Sequence, residues 1–139
     1  MSQQNVDLVR DAYAAFGRGD IETVFKIFDQ NIVFNLAENS PYYPGWPIKG
    51  QQEVLDKLFA RIPGDTDNFT ITPAAIHDAG DVVVVQGRYA GRNRNTGLNL
   101  DVQMCHIWTL RNGRIVQMDQ YLDTLKSAEV FGKGRVASA

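Results

Sequence analysis

The sequence predicts an α+β fold in which helices gather on one face of a strongly curved, mostly antiparallel sheet, and three observations carry that expectation. Apolar residues recur at helical spacing in the part before Gly64. From Phe69 onward they alternate or run as β-branched stretches, and the later segments follow one another through short turns with no helix between them. The chain has 139 residues, 44% hydrophobic and 22% charged, which suits one globular domain with a real core and is too short for two. That domain is expected to span 1–139, with its core at about residues 5–126 and a tail at 127–139.

Val6, Val9, Tyr13 and Phe16 fall three and four residues apart and define one face of a first helix, which ends near Gly17 to Gly19. Asp20 reads as the N-cap of a second, short helix from Ile21 to Phe28, because its carboxylate can accept a backbone N–H of the next turn. Asn31 to Glu38 alternates, with Ile32, Phe34, Leu36 and Glu38 on one side, and predicts the first strand. The stretch Asn39 to Pro47 holds three prolines, a glycine and three large aromatics, which predicts a loop. Val54, Leu55, Leu58, Phe59 and Ile62 return to the helical period, closing at Pro63-Gly64.

Strands are then expected at Phe69 to Ala79, Val82 to Ala90, Leu98 to Leu110 and Arg114 to Asp123. Asn112-Gly113 predicts a type I′ hairpin turn, since both central positions of that turn need positive φ. Lys126 to Ala139 reads as a short helical or frayed tail.

Composition removes several functions. The formal charge is −2, with no basic excess to hold a phosphate backbone, so nucleic acid is not an expected partner. No apolar run approaches the roughly 20 residues of a membrane span, and Met1 to Asn5 has no basic and apolar leader, so a cytoplasmic protein without membrane partners is expected. One cysteine, Cys105, and two histidines are too few for a Cys/His zinc module, and no metal site is expected. Gly-rich nucleotide loops, G-x-S-x-G and H-E-x-x-H are absent. Asp7, Asp11, Glu53 and Asp56 sit among basic residues on polar helical faces and read as solvated surface.

One sheet face stands out. On the strand Leu98 to Leu110, Val102, Met104, His106, Trp108 and Leu110 share a side, and across the Asn112-Gly113 turn Val116, Met118, Gln120 and Leu122 form the matching row. A His and a Gln thus face one apolar interior. They either satisfy each other within a core, or they are the polar groups of a ligand cavity in which an imidazole exchanges a proton and an amide orients an oxygen.

Two phrases carry a family resemblance. Tyr13-Ala14-Ala15-Phe16-Gly17-Arg18-Gly19-Asp20 leading into Ile21 to Phe28, and His106-Ile107-Trp108-Thr109-Leu110-Arg111-Asn112-Gly113-Arg114-Ile115 leading into Gln120-Tyr121-Leu122-Asp123, resemble the nuclear transport factor 2-like (NTF2-like) superfamily. Within it, they resemble the SnoaL-like polyketide cyclases and ketosteroid isomerase-related proteins over roughly residues 5 to 126. The resemblance implies a cone of three helices closed on a bent sheet, a blind apolar pocket, a homodimer through the outer sheet face, and no metal or organic cofactor. His106 takes the strand position that carries an acid in ketosteroid isomerases and a His in SnoaL-like cyclases. Leu36 stands near the isomerase base, and Gln120 stands where cyclases and limonene-type epoxide hydrolases carry Asp.

The catalytic candidates are therefore His106 as acid and base, with Gln120 and Tyr13 as orienting groups. The expected pocket wall comprises Phe16, Phe34, Leu36, Glu38, Trp46, Arg88, Met104, Trp108 and Met118, with Glu38 near the mouth, Gln86 beside Arg88, and the Tyr42, Tyr43 and Trp46 loop as a lid. Asp119 has the wrong parity to join Gln120, and His77 is expected in solvent. The implied activity is isomerase, cyclase or lyase chemistry on a small apolar carbonyl or hydroxyl compound. The rivals are a non-catalytic binder or association module, and an interior filled by side chains. A pocket of about 300 Å³ or more is expected for a ligand site.

Overall fold

The computed structural model describes residues 2–132, and the expected tail beyond 132 lies outside them. Helix α1 (Gln3–Gly17) starts at Ser2, whose hydroxyl accepts the Asn5 N–H, and buries Val6, Val9, Ala12 and Ala15. Asp20 caps α2 (Ile21–Ile27) by accepting the Thr23 N–H at 3.1 Å, as its position predicts. The helix stops one residue earlier than expected. Phe28 already belongs to strand β1 (Phe28–Asn35), and the Gln51 side-chain amide donates to the Phe25 and Phe28 carbonyls that the helix end leaves free.

β1 also ends before Glu38, at Asn35, where the chain turns into the aromatic loop. A two-residue strand β2 (Ile48–Lys49), too short for any periodicity, pairs with Val33 and Phe34. The third helix is α3 (Gln51–Val54) running on into a π-helical stretch, Leu55–Phe59. Pro63 does not close it; it opens a separate turn, α4 (Ile62–Asp65), at a position where its missing N–H is no loss.

Four long strands follow: β3 (Thr66–Ala79), β4 (Val82–Asn93), β5 (Asn99–Arg111) and β6 (Arg114–Leu122), then helix α5 (Thr124–Val130). Asn112 and Gly113 have φ of 53° and 75°, as the type I′ turn requires. The sheet order is β2-β1-β6-β5-β4-β3, with β1 and β6 parallel and all other pairs antiparallel. The helices pack on this sheet, which is the expected α+β arrangement.

Register decides which residues face inward. His106 pairs with Val85 and Gln120, and Trp108 with Val83 and Met118, so the expected β5 row is buried at alternate positions. On β6 the row begins with Ile115 in place of Val116, because a register shift between Thr109 and Leu110 flips the start of the strand. On β4 the inward set is Val83, Val85, Gly87 and Tyr89, which turns Gln86 and Arg88 outward.

Gly87 faces a neighbour that leaves no room for a side chain. A Cβ there would collide with the Thr72 carbonyl oxygen and come within 3.0 Å of the Met104 Cε. Intrinsic propensity favours Gly87→Ala by about 0.5–1 kcal/mol, whereas overpacking costs about 1–3 kcal/mol. Because the Thr72 oxygen is backbone and cannot swing aside, the upper end of that cost applies, and net destabilisation of about 2 kcal/mol is expected in urea unfolding; a more stable variant would contradict this packing.

Candidate functional site

Between the helices and the concave side of the sheet lies a cavity of about 90 Å³. Phe16, Phe28, Phe34, Leu36, Phe59, Phe69 and Met118 supply much of its hydrocarbon wall. Pro41, Tyr42 and Phe131 border it and also border a wider polar cleft on the outside, so they form the partition between cavity and solvent. Tyr42 is fixed there by donating its hydroxyl proton to Asp65 at 2.7 Å, by the Arg61 guanidinium over its ring, and by edge contact with Phe131. The volume is well under the roughly 300 Å³ expected of a ligand site, because aromatic rings from α1, β1, β3 and the π-helical stretch converge on it, and this size points toward the third expectation, an interior filled by side chains.

Five polar side chains meet at one part of this wall. Tyr13 reaches in from α1, Tyr89 from β4, His106 and Trp108 from β5, and Gln120 from β6. The Tyr13 hydroxyl lies 2.7 Å from His106 Nδ1 and accepts the Trp108 indole N–H at 2.9 Å. The Tyr89 hydroxyl is hydrogen-bonded to His106 Nε2 and accepts from Gln120 Nε2 at 2.9 Å. The backbone N–H of Ala37 donates to Gln120 Oε1 at 3.1 Å, which fixes the amide orientation, since a flipped amide would set donor against donor. His106 and Gln120 therefore do not bond each other; Tyr89 stands between them.

Burial sets the protonation of this chain. It pushes the His106 imidazole down to about 3, so the ring is neutral at pH 7, and the near-neutral titration expected from its residue type does not hold. Burial also raises both hydroxyls, Tyr13 and Tyr89, despite the opposing bonds from Trp108 and Gln120. With every group neutral, the two tyrosine hydroxyls and the imidazole hold three protons between them, and the Tyr13–His106 and His106–Tyr89 links use two. If Nε2 carries the ring proton, Tyr89 has the free O–H; if Nδ1 carries it, Tyr13 does. Neither hydroxyl has another acceptor among the described residues, and both tyrosines line the cavity.

Of the expected residues, the cavity collects His106, Gln120, Tyr13, Phe16, Phe34, Leu36, Trp108 and Met118. Four others lie elsewhere. Glu38 is exposed past the end of β1, and Trp46 is 60% exposed in the loop, so Tyr42 is the loop aromatic on the cavity wall. Arg88 is on the outer face, paired with Asp101 at 2.7 Å. Met104 is buried away from the cavity wall, beside the space that Gly87 leaves. Asp119 accepts from Asn35 on the outer face, and His77 is exposed against Gln86. Sequence reasoning missed Tyr89, although the parity of Val83 and Val85 points to it.

A helical layer over a bent sheet, with a polar cluster inside an apolar cavity, defines the NTF2-like class of α+β proteins. The profile of the SnoaL-like domain matches residues 9–118, and the chain belongs to that family. A search of curated proteins finds no match.

Solved structures agree on the class. The chain is similar to an NTF2-like protein from Burkholderia thailandensis, with 30% identity, a TM-score of 0.85, and 94% of this chain and 98% of that one covered. It is also similar to an NTF2-like protein of unknown function from Burkholderia pseudomallei, with 26% identity, a TM-score of 0.84 and the same coverage of 94% and 98%. In fold alone it resembles a hypothetical protein with a ketosteroid isomerase-like fold from Catenulispora acidiphila, solved with trimethylamine, at 17% identity and a TM-score of 0.73, with 90% and 92% covered. Among the described residues no helix is long and apolar enough to cross a membrane.

Proposed function

We propose that this chain is a cofactor-independent enzyme of the isomerase or cyclase type, acting on a small, mostly apolar carbonyl or hydroxyl compound held in the cavity. The observation that carries the reading is the neutral chain Trp108, Tyr13, His106, Tyr89 and Gln120 set in a hydrocarbon wall, with one tyrosine O–H left to donate. Such a donor, preorganised and shielded from water, stabilises negative charge developing on a substrate oxygen by several kcal/mol, about 3 for one well-placed group. His106 then serves as the relay: when Tyr89 gives its O–H proton to a substrate oxygen, the Nε2 proton replaces it, Nδ1 takes the Tyr13 proton, and Tyr13 regains one from the substrate, so the ring ends in the other tautomer. At about 90 Å³ the cavity takes a ligand of one small ring only if wall residues such as Tyr42 and Phe131 move outward.

A panel of small cyclic ketones, scored for thermal stabilisation and for chemical conversion, tests this. Conversion by the wild type is expected, with a loss of about 100-fold or more in Tyr89→Phe and in His106→Ala. Unchanged turnover in His106→Ala would remove the assignment. One observation favours the second reading, a non-catalytic binder: among the described residues no Asp or Glu lines the cavity, so none of them supplies a carboxylate base for carbon-acid chemistry there. Stabilisation without product supports that reading.

A homodimer is part of the proposal. Val84, Cys105, Ile107 and Tyr121 place an apolar stripe on the outer sheet face, with Tyr121 57% exposed. Sedimentation is expected to give twice the mass of one chain, and Tyr121→Lys to lower it to one.

A further inference from the structure

The polar cleft outside the cavity has a volume of about 500 Å³, with Arg61, Asn93 and Arg94 on its wall and Tyr42 and Phe131 as its apolar side. Asn93, the last residue of β4, is only 2% exposed. Its Oδ1 accepts from the Asn95 and Thr96 N–H groups at 3.0 Å each and from the Thr96 hydroxyl at 3.3 Å, which fixes the orientation of the amide. The Nδ2 hydrogens find no acceptor among the described residues. Nδ2 is nevertheless not sealed off, because the fully buried side-chain polar atom without a partner among those residues is Ser40 Oγ. The amide therefore keeps accessible surface at its donor end, and the opening that Asn93 lines is the cleft.

Two guanidinium groups stand on the same wall. Arg94 donates its Nε to Asp67 at 2.7 Å and its backbone N–H to the Asp65 carbonyl at 2.9 Å, and its terminal nitrogens have no partner among the described residues. Arg61 lies 4.7 Å above the Tyr42 ring centre and makes one long bond, 3.4 Å to the Lys57 carbonyl; no described carboxylate pairs with it. Asp65, the carboxylate on this wall among the described residues, already accepts the Tyr42 hydroxyl. What the cleft has left to offer is mostly donors, two of them cationic and one on a fixed, buried amide.

We propose that the cleft binds the carboxylate of a small apolar acid, its oxygens taken by Asn93 Nδ2 and by the Arg61 and Arg94 guanidinium groups, and its hydrocarbon part lying against Tyr42 and Phe131. A carboxylate only accepts, so it matches a wall of donors, whereas a neutral amide of the same shape turns an N–H₂ toward them. Asp65 and Asp67 oppose the incoming charge; Asp67 is committed to Arg94, and Arg61 is the cation that no described carboxylate compensates. The site stands whether or not the inner cavity is filled, and so goes beyond the function proposed above.

Cyclopentanecarboxylate and cyclopentanecarboxamide, titrated at pH 7 by heteronuclear NMR, test this. Wild type is expected to bind the acid about 10-fold more tightly than the amide, with the Asn93 side-chain N–H₂ signal shifting and the preference shrinking as salt is added. Asn93→Asp keeps an oxygen for the turn at 95–96 and replaces the donor with an anionic oxygen, so acid binding is expected to fall about 10-fold or more while amide binding holds. Arg61→Gln, an exposed change that leaves the fold alone, is expected to reduce the acid preference to about 2- to 3-fold.

Equal binding of acid and amide by wild type overturns the proposal, and so does an acid preference that survives Arg61→Gln undiminished. Neither result touches the cavity reading, whose probes are neutral ketones.

Discussion

About 3 kcal/mol of stability is expected to disappear as the pH falls from 6.5 to 4, because His106 must be desolvated and neutral in the native state while the unfolded chain takes up a proton freely. The sign follows from the folded value lying near 3, below the ordinary 6.5. The unfolded state binds more protons throughout that interval, so stability is full above 6.5 and is lost progressively toward 3. Asp20, Asp78 and Glu53 are also held below their usual values by hydrogen bonds, but their contributions fade only as pH drops through the carboxylate range, beneath most of this window. Urea unfolding at pH 7, 5.5 and 4.5 isolates the histidine. The wild type should lose stability steadily across these points, and His106→Gln, less stable at pH 7, should show a nearly flat profile. A flat wild-type profile would mean that the imidazole protonates in place.

Trp108→Ala is expected to cost about 4 kcal/mol, within the range for deleting a large buried aromatic. Trp108 is 5% exposed and touches the rings of Phe28, Phe34, Tyr13 and His106, so its removal strips contacts from all four and leaves a hole that a rigid sheet cannot close. Its indole N–H is also what makes the Tyr13 oxygen an acceptor. Trp108→Phe keeps most of the packing and loses that donor, so a cost of about 1–2 kcal/mol is expected. Unfolding followed by circular dichroism gives both values. Equal costs for the two variants would show that the hydrogen bond, not the ring's bulk, dominates.

The class of fold was legible because helical spacing and strand alternation are long-range patterns here, and because Asp20 and Asn112-Gly113 announce a cap and a turn through their own chemistry. What escaped were features decided by pairing. Val116 gave way to Ile115 because a register shift opposite Thr109 and Leu110 is a property of two strands together. Phe28 left its helix because Ile115 and the Gln51 amide give its backbone another place. In the site, the inward parity of His106 and Gln120 could be read from alternation. The hydroxyl of Tyr89 between them could not, since it depends on how β4 lies against β5. Arg88 drew attention by its charge, yet parity sends it to Asp101 and solvent. Trp46 looked like a wall residue by composition, but a loop with three prolines sets its own direction.

The parallel pairing of β1 with β6 has a bearing on how the chain is made. Asn35 waits for Asp119, 84 positions later, so β1 has no neighbour on that side until β6 has been synthesised. Closing so long a loop is entropically slow. Through that interval β1 carries an open strand edge, and its pairing with β6 is expected to come late in folding.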